Sequence, residues 1–129
     1  MARTGRRHDE AAARREALGA RGEQVAVEYL VRHGGVVLAR NWRCRFGEID
    51  VVVREGGAIV VCEVKTRSGE GYGTPLDAVT PAKAARLRRL AREWLRCWDR
   101  PCAQLRIDVL GVRSLPAGGF LVERVRGVA

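Results

Sequence analysis

The chain has 129 residues, 47% of them hydrophobic and 30% charged, a composition that excludes a disordered chain and allows one buried core. Its 24 Lys and Arg against 15 Asp and Glu give a net charge of +9, which favours polyanionic partners over acidic or neutral ones. No apolar run approaches the roughly 18 residues of a membrane span, and the N-terminal stretch lacks the apolar centre of a signal peptide, so a cytoplasmic protein with no membrane partner is expected.

Residues 1–9 are Arg-rich and without period, and are read as a loose basic tail ahead of a single domain over residues 10–129. From Glu10 to His33 the pattern is helical, with Leu18, Gly22, Val25, Ala26, Tyr29 and Leu30 on one face and Gly34-Gly35 as the stop. Val36 to Trp42 reads as a first strand. Two further strands flank Gly56-Gly57 as a hairpin, and a Gly-rich connector follows from Ser68 to Pro75. Thr80 and Pro81 open a second helix as N-cap and first helical residue. That helix, to about Trp98, carries an apolar stripe of Leu87, Leu90, Ala91, Trp94, Leu95 and Trp98. Arg88, Arg89, Arg92 and Arg96 lie on its other side. Leu105 to Val112 and Phe120 to Val125 are the last two strands. The order α-β-β-β-α-β-β predicts a mixed α/β single domain. Cys44, Cys62, Cys97 and Cys102 form no CxxC and read as free thiols rather than zinc ligands.

The hairpin GEIDVVVREGGAIVVCEVKTR holds the chemistry. A two-residue Gly56-Gly57 loop fixes the register so that Asp50 faces Glu63 and Glu48 faces Lys65. Period two then puts Glu48, Asp50, Glu63 and Lys65 on one side, and Ile49, Val51, Val53, Val60, Cys62 and Val64 on a core side. Opposed carboxylates repel each other unless a cation or basic partner neutralises them. Hard oxygen ligands so placed suit Mg or Mn, and Lys65 one pleat further on could orient a water or hold charge on a phosphate. The plainer alternative pairs Asp50 and Glu63 with arginines at a sheet edge, with Lys65 solvated.

Asp50 with Glu63-Val64-Lys65 resembles the D…(D/E)xK pattern of restriction-endonuclease-like nucleases. GARGEQVAVEYL, NWRCRFGEIDVVV, VVCEVKTR, YGTPLDAVTPAK and RIDVLGV, in that order, resemble the YraN family over about Leu18 to Val112. The resemblance implies a restriction-endonuclease-like fold, distantly similar to archaeal Holliday-junction resolvases, and a metal-dependent endonuclease. It also implies Asp50 and Glu63 as metal ligands, Lys65 as the catalytic lysine and Glu23 as an acidic residue that completes the metal site; Glu48 would pair with Lys65 or Arg67. Without the family, Glu23 reads as an exposed helix residue.

The partner implied is nucleic acid, DNA ahead of RNA, and a four-way substrate would call for a homodimer. Arg67, Tyr72, Lys83 and Arg106 are the candidate contacts. Tyr72 would stack on a base or sugar, or belong to a plain connector; Lys83 would hold a phosphate at the helix start, or be solvated. Arg106 would reach a phosphate, or brace the sheet with Asp108. The arginine ridge of the second helix is read as a solvated face, and Trp94 and Trp98 as core. His8 and His33 have no partner motif. A binding module without turnover and a protein-assembly factor are the rival functions.

Overall fold

Both faces of the central sheet are covered, and this explains why its middle strands run through consecutive valines instead of alternating with polar residues. The computed structural model describes residues 2–68 and 74–129. Helix α1 (Ala2–Arg32) is followed by strands β1 (Val36–Cys44), β2 (Gly47–Glu55) and β3 (Ala58–Ser68). Then come a short 3-10 turn (Leu76–Ala78), helix α2 (Pro81–Cys97), β4 (Gln104–Ser114) and β5 (Phe120–Val125). The sheet order is β1-β2-β3-β4-β5, antiparallel except for the parallel pair β3 and β4 joined through α2. The order α-β-β-β-α-β-β and the mixed sheet between helices are those expected of a restriction-endonuclease-like domain. One expectation changes: the segment read as a loose tail is helical from Ala2 and continues into α1.

On one face α1 contributes Ala26, Val27 and Leu30, packed on Val51, Val53, Val60, Cys62, Leu110 and Val112. On the other α2 contributes Leu87, Leu90, Ala91 and Trp94, packed on Ile49, Val52, Ile59, Val61 and Ile107. Ile49, expected beside Val51, thus joins the α2 side. Trp94 and Trp98 stack with centroids 5.1 Å apart within this second cluster, as core residues. The helix ends follow the local sequence. Gly34 takes a φ of 90° so that Gly35 N–H can donate to Leu30 at 2.8 Å, and Thr80 caps α2 by accepting from Lys83 N–H at 3.1 Å.

Gly22 is where α1 comes closest to the sheet. A Cβ placed on it would stand 2.1 Å from Oγ1 of Thr66, whereas a Cβ on Gly19, one turn earlier, would meet nothing within 4 Å. In an open helix interior Gly→Ala stabilises by about 1 kcal/mol. Gly19→Ala is therefore expected to raise stability by that order, and Gly22→Ala to lower it by about 1–3 kcal/mol through overpacking. Urea unfolding of both variants checks the contrast, and Thr66→Ala should recover part of the Gly22→Ala loss.

Candidate active site

The β2–β3 ladder keeps the register set by Gly56-Gly57 from Glu55↔Ala58 up to Val51↔Cys62, and there it stops. The expected pairs Asp50–Glu63 and Glu48–Lys65 are not ladder partners. The strands part there while each keeps its other neighbour: β2 stays on β1 to Cys44↔Gly47, and β3 pairs with β4 in parallel from Ala58↔Gln104 to Ser68↔Ser114. In the opening, Asp50 Oδ2 accepts a hydrogen bond from Val64 N–H at 2.8 Å. The carboxylate takes the place of a ladder carbonyl and pins the start of β2 to β3 just where the strands separate.

Parallel partners share a face, so Glu63 and Lys65 sit with Val109 and Gly111 on the α2 side of the sheet. There Lys83, in the first turn of α2, brings its Nζ to 3.2 Å from Glu63 Oε1, with both side chains only 19% exposed. The other carboxylate oxygen, Oε2, is buried and has no hydrogen-bond partner among the described residues. From the other helix, the close contact of Gly22 with Thr66 brings Glu23 to the same end of β3. Glu23, Glu63 and Glu48 all act on Asp50. Burial, countered in part by the Val64 N–H bond and reinforced by those three negative charges, pushes its carboxyl up to about 6. Lys65 is partly buried, and among the described residues its ammonium has no hydrogen-bond or ion-pair partner. Glu48 turns away to Arg43, 3.6 Å from its guanidinium, rather than to Lys65.

No three of the described His, Cys, Asp and Glu side chains form a ready-made metal cluster. The residues nonetheless fit a cation of the magnesium type, which is held by one or two carboxylates and completes its shell with water and substrate phosphate. Glu63 offers an oxygen that is buried and unsatisfied, and Asp50 is a carboxylate that costs free energy to ionise without a counter-charge.

That cost is testable in the metal-free protein. With its folded pKa raised from 3.8 to about 6, Asp50 costs nothing in stability below pH 4, progressively more between 4 and 6, and its full penalty above 6. Asparagine keeps an acceptor for Val64 N–H without the charge. Asp50→Asn is therefore expected to be more stable than the parent by about 1–3 kcal/mol above pH 6, with the difference vanishing near pH 4. Thermal melts across that range would show it.

The remaining expected contacts divide. Arg67 is half-buried and, with Arg15, Leu18, Gly19, Thr66 and Ser68, lines a groove of about 240 Å³ between α1 and the end of β3. Tyr72 lies outside the described residues. Lys83 does not project at the helix start as a bare phosphate contact; it holds Glu63. Arg106 is likewise spent inside the protein. Its Nε and Nη2 donate to Asp108 at 2.9 and 3.0 Å, and Nη2 also reaches Glu55 at 3.1 Å. Arg124 of β5 closes the network on Asp108 and Glu55. The alternation of Arg106 and Asp108 announced the first pair. Arg124 and Glu55, 69 residues apart in sequence, had no such signal. The α2 ridge is exposed at Arg88, Arg92 and Arg96, while Arg89 stands 3.6 Å over the Phe46 ring and ties the β1–β2 turn to α2. All four cysteines are free; the buried Cys62 thiol is pushed up to about 12 by burial and by the nearby Asp108 charge, which makes it inert.

Residues 22–112, from the glycine at the α1 contact through the end of the β4 core, match the family model described as uncharacterised protein family UPF0102. The chain belongs to this family. It is 52% identical over 118 residues to a UPF0102 protein of Nocardioides sp., covering 92% of this chain and 95% of that one. It is 61% identical over 126 residues to a UPF0102 protein of Acidothermus cellulolyticus, covering 90% and 96%. A UPF0102 protein of Mycolicibacterium smegmatis is 55% identical over 101 residues, covering 77% and 82%. UPF0102 and the YraN family read from the motifs are the same kinship. The UPF0102 match contains Glu23, Asp50, Glu63, Lys65 and Lys83, and leaves out β5 with Arg124. Among the described residues no helix is long and apolar enough to cross a membrane.

Proposed function

We propose that this UPF0102 protein is a divalent-metal-dependent nuclease that hydrolyses phosphodiester bonds in nucleic acid, DNA in preference to RNA. The observation that carries the reading is the convergence, where β2 leaves β3, of a buried Glu63 oxygen and a Lys65 ammonium that have no partner among the described residues with a protonation-prone Asp50. Asp50 and Glu63 would hold a magnesium or manganese ion, with Glu23 adding negative charge that acts on Asp50. When bound, such an ion lowers the pKa of a coordinated water and stabilises negative charge on a phosphoryl oxygen. Val64 N–H holds Asp50 in place at 2.8 Å, so one ligand is fixed by backbone rather than by a mobile side chain. Lys65, on the rigid parallel ladder next to Glu63, is available to orient the attacking water or to stabilise charge on the scissile phosphate. Arg67 and Arg15 give the neighbouring groove the charge to hold the strand's backbone.

A second reading has one observation on its side. The Lys83–Glu63 ion pair neutralises one of the two carboxylates without a metal, as a nucleic-acid-binding module that does not turn over would require. Incubation with linear, flapped and four-way DNA and the matching RNA, with Mg, Mn or chelator, separates the two. The nuclease predicts chelator-sensitive products. Salt-sensitive binding with no product under either metal supports the module.

A further inference from the structure

Lys83 is an unusual place for a half-buried cation. It lies in the first turn of α2, where the unpaired backbone N–H groups make the helix end positive and disfavour an ammonium. Nothing local compensates: α2 has no acidic residue in its first turn, and the capping contact from Thr80 is made to Lys83's backbone, not to its side chain. What holds the ammonium is Glu63, 3.2 Å away on β3. Glu63 in turn has one oxygen on Lys83 and the other buried and unsatisfied. Both side chains are mostly withdrawn from solvent, so screening of their interaction by salt is weak.

We infer that Lys83 is a built-in counterion for Glu63 that an incoming divalent cation displaces, so that loading the site is an exchange rather than an addition. The inference rests on the nuclease reading of Asp50 and Glu63, and deepens it by naming the residue that sets how tightly the site takes a metal. In the metal-free protein the ammonium holds Glu63 Oε1 in place from α2 and offsets part of the negative charge that Glu63, Glu23 and Glu48 exert on Asp50. A cation bound to Glu63 stands within a few ångströms of the ammonium and repels it. The ion must therefore do work against Lys83 as well as gain the carboxylates. Once displaced, the ammonium has no other recorded partner among the described residues, and it remains at the mouth of the site on the helix end that already attracts anions. Lys83 is thus a positioning residue, in the sense that it acts through Glu63.

Calorimetric titration of the protein with MnCl2 alone, with no nucleic acid present, tests this directly. Lys83→Met and Lys83→Gln are expected to bind Mn at least tenfold more tightly than the parent, while Lys83→Arg, which keeps the charge, stays within about threefold. Arg86→Met, which removes an exposed charge one turn further along α2, separates contact exchange from a general change in net charge and should shift the affinity by less than twofold. Melting curves without metal identify the variants that are folded, and two neutral replacements guard against one of them failing. Mn affinity unchanged in both neutral variants while the parent binds Mn would overturn the exchange and leave the metal-site reading standing. An equal tightening in Arg86→Met would overturn it in favour of bulk charge. Absence of Mn uptake by every form would overturn both readings together.

Discussion

Asp108→Ala is expected to lower the folding free energy by about 3–5 kcal/mol, the largest stability loss of any single change considered for this protein. Asp108 is 0% exposed and accepts four hydrogen bonds of 2.9–3.1 Å, from Nε and Nη2 of Arg106, Nε of Arg124 and the backbone N–H of Gly127. The Arg124 side chain is only 3% exposed, so removing the carboxylate strands a buried guanidinium with Glu55 as its remaining acid. The same network links β5 to β2 across two intervening strands through Glu55, and its loss should loosen the edge of the sheet. Its pH dependence follows from the shifts. Burial alone would raise Asp108's carboxyl, but the bonds from Arg106, Gly127 and Arg124 outweigh burial and hold it below the usual range. Glu55 is lowered chiefly by its hydrogen bond from Arg124. Carboxylates with depressed folded pKa values contribute stability that is fully present above about pH 4 and is lost as pH falls through the folded values. The parent should therefore lose stability steeply on acidification below about pH 4, and Asp108→Ala should start lower with a flatter acid limb. Guanidinium unfolding followed by tryptophan fluorescence, to which the buried Trp94 contributes, reads this out. A loss below about 1 kcal/mol would show that the cluster is merely tolerated.

Lys65→Met is expected to reduce phosphodiester cleavage by about 10²–10⁴-fold while leaving the fold and the Mn affinity nearly intact. The separation is possible because Lys65 braces nothing: its ammonium has no partner among the described residues, and its backbone keeps its place on the β3–β4 ladder opposite Gly111 whatever the side chain. Stability should therefore change by less than about 0.5 kcal/mol, as for a surface substitution away from any network. Under saturating substrate the loss should fall on kcat rather than KM, because an interaction made only as charge develops does not strengthen binding of the ground state. A variant that binds nucleic acid normally and cleaves at the parental rate would remove Lys65 from the chemistry.

Much of this was legible in the sequence, and the limits have physical causes. Thr80-Pro81, Gly34-Gly35 and Gly56-Gly57 fix helix and hairpin ends by local capping and backbone geometry, and each does so here. The valine runs marked β2 and β3 as buried but not that both of their faces were covered, because a continuous apolar run carries no period to count. The register was readable only as far as Val51↔Cys62. Beyond it, β2 stays with β1 and β3 with β4, and no local residue marks where a ladder between the two middle strands ends. The expected opposition of Asp50 and Glu63 is thus replaced by a splayed arrangement, with Asp50 on the Val64 N–H and Lys83 on Glu63. The Arg106–Asp108 brace was legible from their alternation, but Lys83 was read as a phosphate contact or a solvated lysine, because a charge on a helix does not reveal which buried acid the fold sets beside it.

Single-turnover cleavage of a labelled DNA substrate by the parent and by Asp50→Asn, in parallel with Mg, Mn and chelator, tests whether Asp50 and Glu63 seat metal-dependent hydrolysis. Asparagine preserves the acceptor for Val64 N–H, and the variant should be at least as stable as the parent at neutral pH, so lost activity cannot be laid to lost structure. The parent should give product that the chelator abolishes, and Asp50→Asn should be slower by about 10³-fold or more, the scale of about 4 kcal/mol in the transition state. Equal rates in the two proteins, or parental product that survives the chelator, would contradict the assignment of Asp50 and Glu63 as the seat of metal-dependent hydrolysis.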